Sequence, residues 1–238
     1  VNARLSARSQ RGYKRLATLS RPAFAALDLV TAQTEDDASR IRSLGATNVS
    51  VTGNLKFDVR PDEAKEARGR NWRAEIGARP VWLAASTRDG EEARILDALL
   101  ALELPGVLLI LVPRHPQRFE DVAALVMSHG MALKRRSLEE FPQADTQVWL
   151  GDSMGEMASY YAAADLALIG GSLLPYGGQN LIEAAACGCP TIVGEHTFNF
   201  AQATDDAVAC GAAIRISGPE ALAATVQTIL ANPETRIN

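Results

Sequence analysis

Four short segments of the 238-residue chain combine residue types that can do chemistry. In Gly170-Gly171-Ser172 and Gly177-Gly178-Gln179-Asn180-Leu181-Ile182-Glu183-Ala184, glycines open a helical pattern. Free backbone N–H groups at such a start can hold a phosphate. Glu183, one turn into that helix, shares a face with Asn180 and Gln179, and a carboxylate there can accept both hydroxyl hydrogens of a ribose. Asn180 and Glu183 also have the spacing of a capping box, so a purely structural role stands beside the ligand role.

In Pro113-Arg114-His115-Pro116-Gln117-Arg118, two arginines flank a stiff turn. Guanidinium forks grip phosphate or carboxylate in two places. Arg118 also fits a surface helix, and His115 fits either a general base or, beside cations, a neutral structural imidazole. In Gly151-Asp152-Ser153-Met154-Gly155-Glu156-Met157, Gly155 lets a flat ring approach the backbone and Met157 offers it a soft apolar surface. Ala85-Ser86-Thr87-Arg88-Asp89-Gly90-Glu91-Glu92 leads into a helix start. There Ser86–Arg88 suit either anion contact or capping, and the two glutamates suit the helix dipole.

These segments need a frame. Apolar runs at Val49–Thr52, Val81–Ala85, Leu108–Val112, Gln147–Leu150, Leu166–Ile169, Thr191–Val193 and Ala213–Ile216 read as strands. Helical patterns lie between them: Thr34–Leu44, Gly90–Leu102, the face Phe119, Val122, Ala123 and Val126, then Met154–Ala164, Leu181–Gly188 and Pro219–Leu230. Continuous apolar strands alternating with helices predict an α/β, Rossmann-like parallel sheet with helices on both faces. Ligands of such sheets bind beyond the carboxyl ends of the strands, where all four segments fall. The polar, Arg-rich stretch 59–80, bounded by Pro61 and Pro80, reads as a connection, which puts a domain junction near residue 58 and divides the chain into 1–58 and 59–238.

Hydrophobic content of 47% and charged content of 22% are those of a globular protein, and no apolar run reaches the length of a membrane span. The chain carries −4, yet its first 27 residues hold six basic groups and no acid, leaving −10 for the rest. Such a segment suits an anionic membrane, a phosphorylated substrate or a solvated helix face. Cys187, Cys189 and Cys210 lack the spacing of a disulfide framework or zinc site, so they read as small buried thiols and no metal is implied.

The ordered strings NARLSARSQRGY, VTGNLKFDV, STRDGEE, LVPRHPQRF, GDSMGEM, GGSLLPYGGQNLIEA and GEHTFNF together resemble the 3-deoxy-D-manno-octulosonic acid (Kdo) transferases, over residues 2 to about 216. The resemblance implies the C-terminal half of a GT-B glycosyltransferase. In it, 1–58 end the acceptor-side domain and 59–238 form the CMP-Kdo-binding domain, cut short at its C-terminus. Members of the family transfer Kdo from CMP-Kdo to a lipid A precursor with inversion.

By motif match, the resemblance assigns CMP-Kdo contacts to Pro113 and Arg114, to Gly155, Glu156 and Met157, and to Asn180, Leu181, Ile182 and Glu183, with Glu183 on the ribose. It assigns Lys56 the stabilisation of transition-state charge. The general base is implied to precede residue 1, so this stretch is expected to bind donor without turnover. The implied partners are the donor, the acceptor through the preceding domain, and the cytoplasmic face of the inner membrane, with no cofactor and no nucleic acid. Two alternatives remain at this point: a UDP-sugar-dependent GT-B transferase or epimerase, and a non-catalytic nucleotide-binding module. Glu195 stands where the family often has proline.

Overall fold

A computed structural model describes residues 1–54, 58 and 60–232. The chain forms two compact units, Val1–Val59 and Arg60–Asn238.

In the first unit, parallel strands β1 (Val30–Ala32) and β2 (Val49–Val51) flank helix α3 (Glu35–Arg42), preceded by α1 (Ala7–Arg15) and α2 (Ala17–Ala25). Thr34 caps α3 by accepting from Asp37 N at 3.1 Å, and the buried Asp37 carboxylate accepts from Leu5 N at 2.9 Å. Gly45 follows at φ +111°, a conformation that L side chains rarely adopt. Ala32, Ala38, Ile41 and Leu44 fill a small core, while Leu16 and Leu19 on the basic α1–α2 segment remain exposed.

The second unit is built on seven parallel strands: β3 (Val81–Thr87), β4 (Leu108–Pro113), β5 (Leu133–Arg135), β6 (Val148–Leu150), β7 (Leu166–Ile169), β8 (Thr191–Val193) and β9 (Ala213–Arg215). Their spatial order is β5-β6-β4-β3-β7-β8-β9. After β6 the chain crosses to the other side of β3, so the strand order reverses beside β3, β4 and β7.

Side chains alternate between two cores. Trp82, Ala84, Leu109, Leu111 and Leu168 meet α5 (Glu91–Leu100), α6 (Phe119–Ser128) and α10 (Leu222–Ala231) on one face. On the other face, Leu83, Ala85, Ile110 and Trp149 pack with α4 (Glu63–Ile76), α7 (Met157–Ala163), α8 (Ile182–Ala186) and α9 (Ala201–Ala209). The predicted parallel α/β architecture is present. Among the described residues no helix is long and apolar enough to cross a membrane.

The stretch read as a polar connection contains α4, capped by Asp62, whose carboxylate accepts from Ala64 N at 3.0 Å. This helix lies on α7 because Gly69 has no side chain to hold the two apart. Trp72 then reaches Trp149 and Tyr160, with ring centroids 5.1 and 5.3 Å away. The strands β1 and β5 and the helix α9 are also additional to the sequence reading. Of the three cysteines, Cys210 is exposed, Cys189 is buried, and burial pushes the Cys187 thiol up to about 11.

Candidate functional site

All four chemistry-bearing segments emerge from the carboxyl ends of neighbouring strands: 151–157 after β6, 113–118 after β4, 86–92 after β3 and 170–183 after β7. The end of β3 is irregular. Ser86 adopts φ +56°, and the register to β4 shifts between Ala85 and Thr87. A side chain on Gly170 would strike the Ser86 carbonyl, so glycine is required where the β3 and β7 loops pass.

Glu91 ties those two loops together. Its buried carboxylate accepts from Arg88 N at 2.9 Å, Gly171 N at 2.7 Å and Leu173 N at 2.9 Å. Burial raises its pKa and the three N–H bonds pull it back, leaving it above the ordinary carboxylate value. Glu92 is equally buried and accepts from Thr87 Oγ1 at 2.7 Å and from Arg118 Nη1 at 2.5 Å. Arg118 also reaches Asp89 at 2.9 Å. Both glutamates are therefore structural, and Arg118 is occupied by carboxylates of its own protein.

Arg114 is exposed, with Nε donating to Gln179 Oε1 at 3.3 Å, which joins the β4 and β7 loops. Its backbone N donates to Thr87 O at 3.0 Å, and Pro113 beneath it is buried beside Thr87. His115 is held below the ordinary imidazole value by partial desolvation and by the positive charges of Arg88, Arg114 and Arg118. It is neutral at physiological pH.

In the β6 loop, Gly155 takes φ +77° with open space on its side-chain face. Glu156 turns inward. It accepts from Arg68 at 2.8 Å, from Arg136 at 3.1 Å and from the Ser153 hydroxyl. Burial raises its pKa, but those bonds more than offset this and hold it below the ordinary carboxylate value. Asp152 is similarly enclosed, accepting from Arg135 Nε at 2.7 Å and Ser137 N at 2.7 Å. These two carboxylates hold the loop in shape; Met157 opens α7 and packs against the core cluster to which Leu181 and Ala184 belong.

The glycine turn after β7 is fixed by Gly178 N donating to Gly171 O at 2.7 Å and Asn199 N to Gly177 O at 2.9 Å. The helix behind it is only five residues long and starts at Ile182, not Leu181. Gln179 and Asn180 thus precede it, and the shared helical face expected for them and Glu183 is absent. Asn180 instead forms an Asx-type turn, its Oδ1 accepting from Ile182 N at 3.1 Å. The capping box is only half formed: among the described residues the half-buried Glu183 carboxylate has no hydrogen-bond or ion-pair partner. Helices α7 and α8 adjoin, with Cys187 Sγ 4.0 Å from Ala158 O. Lys56 lies outside the described residues.

Sequence reasoning did not single out Tyr176, whose hydroxyl donates to Asp89 O at 3.1 Å and whose ring lies under Arg88. Its only signal was its place between the two glycine pairs. The left-handed Ser86 has no sequence signal, since serine carries no preference for that conformation.

Residues 1–59 match the family described as 3-deoxy-D-manno-octulosonic-acid transferase (kdotransferase), and residues 128–238 match glycosyl transferases group 1. The 3-deoxy-D-manno-octulosonic acid transferase of Bordetella pertussis is 47% identical over 99% of this chain and 56% of its own length. That of Haemophilus influenzae is 37% identical over 99% of this chain and 57% of its own. The chain therefore spans a little over half the length of these relatives. The crystal structure of the C-terminal CMP-Kdo binding domain of WaaA from Acinetobacter baumannii superimposes with TM-score 0.70 at 33% identity, covering 74% of this chain and 93% of that one. With its parallel sheet and its carboxyl-edge loops arranged as described, this chain belongs to the Kdo transferase family.

Proposed function

We propose that this chain is the donor-binding part of an enzyme that moves Kdo from CMP-Kdo to a lipid A precursor with inversion. The observation that carries the reading is a pair of unspent charges at one sheet edge. Among the described residues the Arg114 guanidinium bonds a neutral amide and pairs with no carboxylate, and the Glu183 carboxylate has no partner, whereas Glu91, Glu92, Glu156 and Arg118 are all engaged internally. A nucleoside monophosphate ester requires that combination: a cation for phosphate and an acceptor-only group for ribose hydroxyls.

In this reading Glu183 accepts from the ribose hydroxyls and Asn180 shapes the turn before it. Gly155 and Met157 offer surface to the cytosine, the buried Pro113 sets the backbone from which Arg114 reaches the donor, and Glu156 keeps Gly155 and Met157 in place. Leu181 and Ile182 contribute the short helix start. Because that helix has five residues, its dipole is small, and the phosphate charge falls mainly to Arg114. The residues 1–58 end the acceptor-side domain, and 59–238 form the donor domain.

In the transfer step, a general base removes a proton from an acceptor hydroxyl. The resulting oxygen attacks the anomeric carbon of Kdo from the face opposite CMP, and CMP leaves with the bonding pair. Arg114 neutralises the charge that develops on the departing phosphate, and the family resemblance gives Lys56 the stabilisation of transition-state charge. The acceptor and the inner-membrane surface, on its cytoplasmic side, are met by the parent enzyme; the six basic residues before Asp28 suit an anionic lipid face.

Calorimetric titration of the chain with CMP and UMP, repeated with Glu183→Ala, tests the reading. CMP should bind more tightly than UMP and should weaken by about tenfold or more without Glu183, the loss of hydrogen bonds to a charged group. UMP binding as well as CMP would assign the site to a uridine nucleotide instead.

A further inference from the structure

The donor proposed above carries two anionic groups, its phosphodiester and the carboxylate of the octulosonic acid, whereas CMP has only the phosphate. Three guanidiniums, those of Arg88, Arg114 and Arg118, act together on His115. Arg118 is neutralised by Glu92 and Asp89. Arg114 is the phosphate ligand in the reading above. That leaves Arg88, which is half-buried and, among the described residues, pairs with no carboxylate.

Its guanidinium is nonetheless held in place, 4.8 Å above the centroid of the Tyr176 ring. That ring is itself fixed. The Tyr176 hydroxyl donates to Asp89 O at 3.1 Å, and the Tyr176 carbonyl accepts from Asn199 Nδ2 at 3.0 Å. At the other end, Arg88 N is anchored on Glu91 at 2.9 Å.

Gly171 makes the convergence possible. A Cβ there, already strained at φ +71°, would lie 3.4 Å from Arg88 Cγ and 3.2 Å from Gln179 Nε2. The stem of Arg88 and the amide that bonds Arg114 thus meet over one bare glycine. A guanidinium stacked on an aromatic face keeps its N–H edge free, and that edge matches a carboxylate in a bidentate fork.

We propose that Arg88 binds the carboxylate of the donor sugar and so selects an acidic sugar over CMP alone, an inference that rests on the donor reading given above. The roles are complementary: Arg114 and Glu183 read the nucleotide, and Arg88, whose stem meets the amide bonded to Arg114 at Gly171, reads the sugar. Tyr176 acts as a positioning residue for Arg88.

The test is calorimetric titration of the chain with CMP and, separately, with CMP-Kdo, for the wild type, Arg88→Met and Arg88→Lys. Arg88→Met should weaken CMP-Kdo by about tenfold or more, the loss of a charge-assisted bidentate contact, while CMP binds as before. Arg88→Lys should fall between, because an ammonium keeps the charge and lacks the fork. Should the Met variant melt early, the ratio of CMP-Kdo to CMP affinity in the Lys variant carries the test alone. Equal weakening of both ligands would make Arg88 a phosphate ligand and overturn the inference, as would no change in either. A wild-type chain that binds neither ligand would overturn the donor reading itself, and the inference with it.

Discussion

Gly69→Ala isolates the packing that supports the β6 loop. A Cβ at this position would run into the Ser159 carbonyl oxygen and lie 2.7 Å from Ala162 Cβ. Carbon atoms rest about 3.5–4.0 Å apart, so α4 and α7 would have to separate by about 1 Å. Two effects oppose each other. Alanine is favoured over glycine within a helix by about 1 kcal/mol. Overpacking costs about 1–3 kcal/mol, and the upper end applies because the obstacle is backbone that cannot rotate away. The same separation loosens Trp72 from Trp149 and Tyr160, contacts worth about 0.5–1.5 kcal/mol each. Packing therefore wins by about 2 kcal/mol before the loosened ring contacts are counted, and by more with them. All three tryptophans, Trp72, Trp82 and Trp149, belong to the second unit, so urea unfolding followed by their fluorescence reports on it selectively. With a slope of about 2 kcal/mol/M, the midpoint should fall by about 1 M. An unchanged or raised midpoint would mean that helix propensity dominates, and would refute the close α4–α7 crossing.

Glu156→Gln should cost about 1–2 kcal/mol at neutral pH, since the amide keeps the geometry and loses the charge assistance from Arg68 and Arg136. The folded carboxyl lies below its unfolded value, so its stabilisation is present above the unfolded pKa and is lost as pH falls through the folded one. Paired urea melts should show the gap between wild type and variant closing in acid; a gap constant with pH would contradict this. Arg118→Met should destabilise by about 3 kcal/mol, because it leaves the Glu92 carboxylate buried with Thr87 as its remaining partner, and adding Glu92→Gln should restore part of the loss. Arg114→Met, at an exposed position, should leave the melting temperature unchanged and weaken CMP by about tenfold or more. Thermal melts and CMP titrations of these variants separate the scaffold arginine from the ligand arginine.

The contrast between Arg114 and Arg118 shows where sequence reading stops. Their motif announces two oxyanion-gripping residues, but only the fold decides that Glu92, one strand away in the sheet, claims Arg118. The parallel sheet was legible because β3, β4 and β7 are unbroken apolar runs, buried on both faces. Helix α4 was not. Its inward stripe is Lys65, Gly69, Trp72 and Ile76, in which only two large apolar residues mark the periodicity, and Arg68, Arg70 and Arg73 make the rest look like linker. Strand β5 is short, half-buried and at the sheet edge, so its Leu133-Lys134-Arg135 lacks the composition of the central strands. At the site, the spacing of Asn180 and Glu183 left capping and ligand binding open. The Asx-type turn at Asn180 engages the Asn180 side chain and, among the described residues, the Glu183 carboxylate has no partner, a distinction set by backbone geometry and not by residue type.

The central claim, that the carboxyl edge of this sheet holds the nucleotide of the donor, is tested most directly by a crystal structure of the chain with CMP. The ribose hydroxyls should donate to the Glu183 carboxylate, the phosphate should lie within hydrogen-bonding distance of Arg114, and the cytosine should lie against Gly155 and Met157. A nucleotide bound elsewhere, or bound here with Glu183 turned away and the phosphate remote from Arg114, would contradict it.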